Sequence, residues 1–150
     1  SYCNFIAAFA TQHRISPDQV ILEVVEDILI DNFRLGRENL QRLKQKGFKI
    51  AIDDFGKGFS SLSYLAELPV DIIKMDRAFV CTVPGEKKNE SIAESIVNLG
   101  HSLGLKVVAE GFETAEQIAF YRTLGCDNYQ GYYFARPMPL RDFLDRYAGR

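Results

Sequence analysis

Glu23, Asp53, Asp54, Lys74 and Glu110 each stand where a short apolar run stops. The sharpest case is Lys49-Ile-Ala-Ile-Asp-Asp-Phe-Gly-Lys-Gly-Phe59, in which Ile50-Ala-Ile52 ends at two adjacent carboxylates and Gly56 and Gly58 follow at once. Two unit charges about 4 Å apart repel by roughly 4 kcal/mol at an effective dielectric near 20, so carboxylates gathered in one place need a counter-charge. One lysine falls short of three or more carboxylates, whereas a divalent cation supplies what is missing. The donors are oxygens, with no histidine or cysteine among them, and this favours Mg²⁺ or Mn²⁺ over zinc. Adjacent carboxylates on one strand end can serve two metals, an arrangement suited to in-line attack on a phosphate ester.

The elements that must position these residues alternate between strand and helix. Residues 4–12 have helical spacing, broken by Ser16-Pro17-Asp18, and Val20-Ile-Leu22 is a β-branched run that ends in Glu23. Residues 34–46 read as a helix closed by Gly47, the position a C-terminal glycine usually takes. Further strands are expected at 48–52, 71–75, 105–109 and, more weakly, 128–132. Helices are expected at 60–67, 88–103, from the Thr114–Gln117 capping box to Gly125, and at 140–147. One helix per interval makes a βα series, so the strands should be parallel with right-handed crossovers. A doubly wound sheet and a (β/α)8 barrel both satisfy this α/β pattern. No GxGxxG or GxxxxGK[ST] follows the first strand, so nucleotide folds of those kinds gain no support.

In parallel α/β folds, sites are built at the C-terminal edge of the sheet. That edge collects Glu23 and Glu26, then Asp53 and Asp54, Lys74 and Asp76, Glu110 and Glu113, and Gln130. The two-residue period of a strand puts Ile21 with Glu23, Ala51 with Asp53, Ile72 with Lys74, and Val108 with Glu110. If those faces line a barrel, four charged side chains converge on one mouth. A single carboxylate after a strand is often only the cap of the next helix, which is a sufficient account of Glu26, Asp27 or Asp76 taken alone. Acidic or basic ends on successive strands, on matching faces, favour a site. His13 and His101 lie on helical segments with no partner spacing and read as structural, and Tyr132-Tyr-Phe134 reads as core packing.

With 150 residues, 47% of them hydrophobic and 25% charged, the composition suits a soluble domain or a large part of one. A net charge of −2, with Lys and Arg scattered, gives no pull toward a nucleic acid polymer or an anionic membrane. Cys3, Cys81 and Cys126 are distant and form no zinc spacing, so reduced thiols in a cytoplasmic domain are expected. No apolar run approaches the roughly 18 residues of a membrane span, and no signal peptide is visible.

Five motifs in order carry a resemblance over the whole chain: Leu22-Glu-Val-Val-Glu26, Asp53-Asp-Phe-Gly-Lys-Gly-Phe-Ser-Ser61, Ile73-Lys-Met-Asp76, Val108-Ala-Glu-Gly-Phe-Glu113 and Gln130-Gly-Tyr-Tyr-Phe134. The sequence resembles the EAL domain family, bacterial phosphodiesterases that linearise cyclic di-GMP. Asp-Phe-Gly also occurs in protein kinases, but no kinase glycine loop, His-Arg-Asp or strand lysine precedes it here. The resemblance implies a (β/α)8 barrel with its site at the C-terminal mouth and the linear dinucleotide pGpG as product. It implies that Glu23, Asp53, Asp54 and Glu110 bind Mg²⁺ or Mn²⁺ in a two-metal site, Asp53 being shared. Lys74 would hold the attacking water, and Glu110 would bind the second metal or help activate that water. Asp54 belongs to the same catalytic set. Glu26 and Glu113 would brace the loop after Asp54, and Gln130 would hold a metal-bound water or the phosphate.

Two departures from the family pattern stand out. Lys57 occupies a place usually taken by a small residue, often threonine; a cation there either supports a phosphate or competes with a metal. The Glu-Ala-Leu motif and an asparagine on the next strand, both metal ligands in the family, should lie upstream of Ser1. Residues 1–150 are then expected to be the C-terminal part of a single EAL-type barrel domain, with about five of its eight units. Five open parallel strands leave unpaired edges. The rest of a longer polypeptide, with sensory or GGDEF domains, or a second copy in a homodimer should cover them. This chain by itself should be weakly active or inert. The competing expectation is a catalytically impaired module that binds cyclic di-GMP or a protein partner without hydrolysis.

Overall fold

A computed structural model describes residues 2–56 and 62–148. Five strands, β1 (Ile21–Val25), β2 (Lys49–Phe55), β3 (Ile72–Met75), β4 (Lys106–Glu110) and β5 (Asn128–Gln130), lie in the order β1-β2-β3-β4-β5. Every neighbouring pair is parallel. The sheet therefore follows the βα series read from the sequence.

Eight α-helices accompany the strands among the described residues: α1 (Tyr2–Gln12), α2 (Glu26–Asp31), α3 (Phe33–Gln45), α4 (Leu62–Leu65), α5 (Arg77–Cys81), α6 (Lys87–Ser102), α7 (Ala115–Thr123) and α8 (Leu140–Tyr147). The expectation of one helix per interval is corrected in two places. Both α2 and α3 join β1 to β2, and both α5 and α6 join β3 to β4. The additional helices have six and five residues, too few to show a helical period in sequence. Asp76 caps α5, its carboxylate accepting from Ala78 N at 2.8 Å.

One face of the sheet packs against helices. Ile50, Ile52, Ile73, Met75, Val107 and Ala109 are fully buried there with Leu40, Val97 and Tyr121. Helix α6 approaches β4 so closely that a Cβ on Gly100 would lie 2.5 Å from Val107 Cγ2, which explains a glycine inside a helix. Tyr132, Tyr133 and Phe134, expected in the core, instead stand 50%, 49% and 46% exposed just beyond β5. They follow the last strand of the sheet, and among the described residues no further strand covers them.

The N-terminal edge of the sheet carries the same clamp twice. Asp71, just before β3, donates its N–H to Ile50 O at 2.9 Å, while its Oδ2 accepts from Ile50 N at 2.8 Å. Asp127, just before β5, donates to Val107 O at 3.1 Å and accepts from Val107 N through Oδ2 at 2.8 Å. Each aspartate also meets a cationic or imidazole group from the end of a long helix: Lys44 of α3 and His101 of α6, whose Nε2 lies 2.9 Å from Asp127 Oδ2. His101 thus has a partner that sequence spacing did not reveal, and its role is structural.

Burial opposes ionisation of Asp127, but the Val107 N–H, His101 and Lys106 outweigh it and hold the carboxyl below its ordinary value of 3.8. A lowered folded-state value means that the stabilisation is complete above pH 3.8 and is lost as pH falls through the folded value. Asp127→Ala should therefore destabilise the fold by about 1–3 kcal/mol near neutrality, since the Val107 N–H loses its partner. Urea unfolding across the acid range checks this: the gap between wild type and variant should close only in strong acid.

Candidate active site

Lys74 stands at the centre of the C-terminal edge. Its Nζ lies 2.7 Å from Glu23 Oε1, 3.1 Å from Asp53 Oδ1 and 2.7 Å from Glu110 Oε1. Four residues from four strands thus meet at one ammonium. The Lys74 side chain is only 9% exposed, and the carboxylates grow more exposed toward the open edge: Glu110 21%, Asp53 26% and Glu23, on edge strand β1, 49%. Burial alone would lower the Lys74 pKa, yet its contacts with Glu110, Glu23 and Asp53 prevail and hold it above the ordinary lysine value.

The ladder explains why these residues meet although they are not level in register. Glu23 pairs with Ala51, so Asp53 lies two residues further on; Lys74 pairs with Val108, so Glu110 lies two further on. Gln130 is level with Glu110. The row climbs by about one residue per strand on average, the stagger of an eight-stranded barrel with shear of about 8. In a tilted sheet, residues at equal height along the barrel axis must climb the ladder in this way.

Strict alternation fails at the aspartate pair. Ile52 pairs with Ile73 and Phe55 with Met75, so Asp53 and Asp54 together face Lys74 across a β-bulge. Asp54 takes the left-handed backbone at φ 57°, which aspartate tolerates better than most residues. The bulge lets two consecutive carboxylates occupy the rim, both partly exposed, while Phe55 returns to the core beside Met75. Such a conformation costs on the order of 1 kcal/mol and is typical of functional sites.

The segment after Asp54 is held from below. Glu26, the first residue of α2 and 2% exposed, accepts from Gly56 N at 3.1 Å and from the Tyr64 hydroxyl. Gly56 adopts φ 98°, and a Cβ there would lie 2.8 Å from Phe79 Cε2. Tyr64, which no spacing argument singled out, is held by an edge-to-face contact with Phe33. Glu113 is exposed on the rim, 3.7 Å from Arg77. The Gln130 side chain is exposed, while its carbonyl accepts from Gly111 N and Phe112 N and so ties the β5 end to the loop after β4. Gln117 of the capping box secures the same loop, accepting from Glu113 N and Thr114 N. Lys57 lies outside the described residues.

Lys74 reaches all three carboxylates. Among the described residues the charge is not balanced: one positive group faces three negative ones, before Asp54 is counted. Asp53 Oδ1 and Glu110 Oε1 are buried, and among the described residues the group that reaches them is the Lys74 ammonium, at 3.1 Å and 2.7 Å. Buried oxygens with unfilled acceptor capacity, a net deficit of positive charge and an all-oxygen donor set fit a hard divalent cation. Among the described residues no group of three acidic, histidine or cysteine side chains is arranged to hold a cation, and the place where Glu23, Asp53 and Glu110 converge holds the ammonium.

The sequence profile of the EAL domain family matches residues 1–137. The chain is 46% identical over 129 residues to the cyclic di-GMP phosphodiesterase NbdA of Pseudomonas aeruginosa, covering 84% of this chain and 16% of that protein. Among solved structures, the PaMucR phosphodiesterase in complex with c-di-GMP superposes with a TM-score of 0.87 at 40% identity, over 90% of this chain and 55% of that one. Klebsiella pneumoniae BlrP1, in a manganese and cyclic di-GMP complex, gives a TM-score of 0.84 at 36% identity, over 89% and 34%. The chain thus spans about a sixth of the curated relative and about a third to a half of these solved chains.

Proposed function

Because this chain belongs to the EAL domain family, we propose that the protein containing it is a phosphodiesterase that opens cyclic di-GMP to linear pGpG with a divalent cation, Mg²⁺ or Mn²⁺. The observation that carries the reading is the convergence of Glu23, Asp53 and Glu110 on Lys74 at the C-terminal edge, with Asp54 beside them on the bulge. Glu23, Asp53, Asp54 and Glu110 are the residues that would hold the cation. A divalent ion, when bound, supplies Lewis acidity that polarises a phosphate ester. Lys74 donates to the attacking water or a phosphate oxygen. Glu110 accepts the water's proton at a carboxylate oxygen held in a low-exposure position. Gln130 donates its side-chain amide to the phosphate from the exposed end of β5. Glu26 keeps the segment after Asp54 seated, so that the two aspartates hold their places.

The same reading covers domain organisation. Ile21 and Val25 on β1, and Tyr132, Leu140 and Phe143 beyond β5, form apolar rims at the two open edges. In the whole protein the remaining barrel units cover them, residues 1–150 forming the C-terminal part of one EAL-type barrel. Sensory or GGDEF domains fit the small share of the relative's length spanned here. Among the described residues no helix is long and apolar enough to cross a membrane. The free thiols Cys3, Cys81 and Cys126 suit work in the reducing cytoplasm.

The test is a hydrolysis assay of the intact protein with cyclic di-GMP, read by separating the products. Linear pGpG should form with Mn²⁺ or Mg²⁺ and stop on adding a chelator. Saturable binding of the dinucleotide with no product under either metal would overturn hydrolysis and leave a binding module.

A further inference from the structure

Resting on that reading of the strand ends, we propose that Lys74 is an internal counter-ion: it holds Glu23, Asp53 and Glu110 together while no cation is bound, and it must withdraw for a cation to enter. The ammonium sits at 2.7–3.1 Å from all three carboxylates, at the point where one oxygen of each converges. It is also the charge that reaches the buried oxygens Asp53 Oδ1 and Glu110 Oε1. Without it, three carboxylates from three strands would repel, Asp53 and Glu110 at low exposure, and the C-terminal edge of the sheet would open.

The geometry sets the two states in competition. Magnesium–oxygen bonds are about 2.1 Å long, shorter than any of these contacts, so the carboxylates must draw inward onto ground that Nζ now holds. Lys74 therefore competes with the cation for the same oxygens, and the site's metal affinity is set partly by the cost of moving its own ammonium aside. A displaced Lys74 is left facing the rim, where its ammonium can donate hydrogen bonds to a phosphate oxygen. The lysine thus serves two successive anions, first the empty ligand cluster and then the substrate.

The experiment compares melting of the intact protein in chelator with calorimetric titration of Mn²⁺ alone, without nucleotide. Lys74→Met should lower the metal-free melting temperature by about 5–10 °C, and adding Asp53→Asn to it should recover at least half of the loss. Lys74→Met should also bind Mn²⁺ about tenfold more tightly, roughly 1.4 kcal/mol. If Lys74→Met does not fold, Glu110→Gln in the presence of the native lysine decides: it should raise the metal-free melting temperature, because one ammonium then faces fewer negative groups. An unchanged melting temperature for Lys74→Met in chelator, absence of rescue by Asp53→Asn, weaker or unchanged Mn²⁺ binding, or a fall for Glu110→Gln would each overturn the proposal. Absence of hydrolysis by the wild type would sink the phosphodiesterase reading alone, since the chelator comparisons need no turnover.

Discussion

Asp53→Asn is expected to reduce turnover of cyclic di-GMP by more than about 100-fold, the upper end of what removing an outer-shell partner costs a metal enzyme. The substitution preserves shape and removes only the charge, so the fold should persist. Asp53 is the more consequential aspartate because its Oδ1 is buried and faces Lys74 at 3.1 Å, in the middle of the row rather than at its open end. A neutral amide there presents a nitrogen or a weak acceptor to any cation shared with Glu23 or Glu110. Steady-state kinetics of the intact protein at saturating Mn²⁺ would measure the loss. A drop of less than tenfold would move the central role to Asp54.

Gly131→Ala should lower the unfolding free energy by about 3 kcal/mol or more, the high end for overpacking. A Cβ at this position would lie 2.2 Å from Phe112 O and 2.3 Å from Phe112 N. Neither atom can step aside: Phe112 N donates to Gln130 O, and Phe112 O accepts from Tyr133 N. The glycine is what allows the chain leaving β5 to lie against the loop leaving β4, bringing Gln130 level with Glu110. Gly104→Ala is the matched control. Its φ of 72° is strained for alanine but nothing lies within 4 Å of the added methyl, so a cost near 1 kcal/mol is expected. Urea unfolding of both variants separates close packing from backbone strain.

The sheet was legible because each of the first four strands holds a β-branched or apolar run, because Asn128-Tyr-Gln130 follows the capping-box helix of the series, and because intervals of helical spacing leave parallel pairing as the simple solution. The site was legible for a related reason: Glu23, Lys74 and Glu110 obey the alternation of their strands, so their common face could be read without coordinates. Alternation could not anticipate the bulge at Asp53 and Asp54, which depends on one extra residue in β2 relative to β3. Helices α2 and α5 escaped because they have six and five residues. The aromatic run at Tyr132–Phe134 misled because apolar character speaks for burial only when something lies opposite, and β5 is the edge of the described sheet. The position of Lys74 Nζ among three carboxylates is a matter of rotamers and sheet stagger, neither of which is written in spacing.

The paired grips of Asp71 on Ile50 and Asp127 on Val107 have an evolutionary consequence. The side-chain bonds of each close within a helix–strand–helix–strand cassette, one beginning at α3 and the other at α6, and the cassettes are joined at this edge by Lys106 N donating to Asp71 O at 3.0 Å. Crossovers between homologous genes at the cassette joints would therefore carry a whole fastening with them. Such chimaeras could shuffle the chemistry of the opposite rim while inheriting an intact foundation.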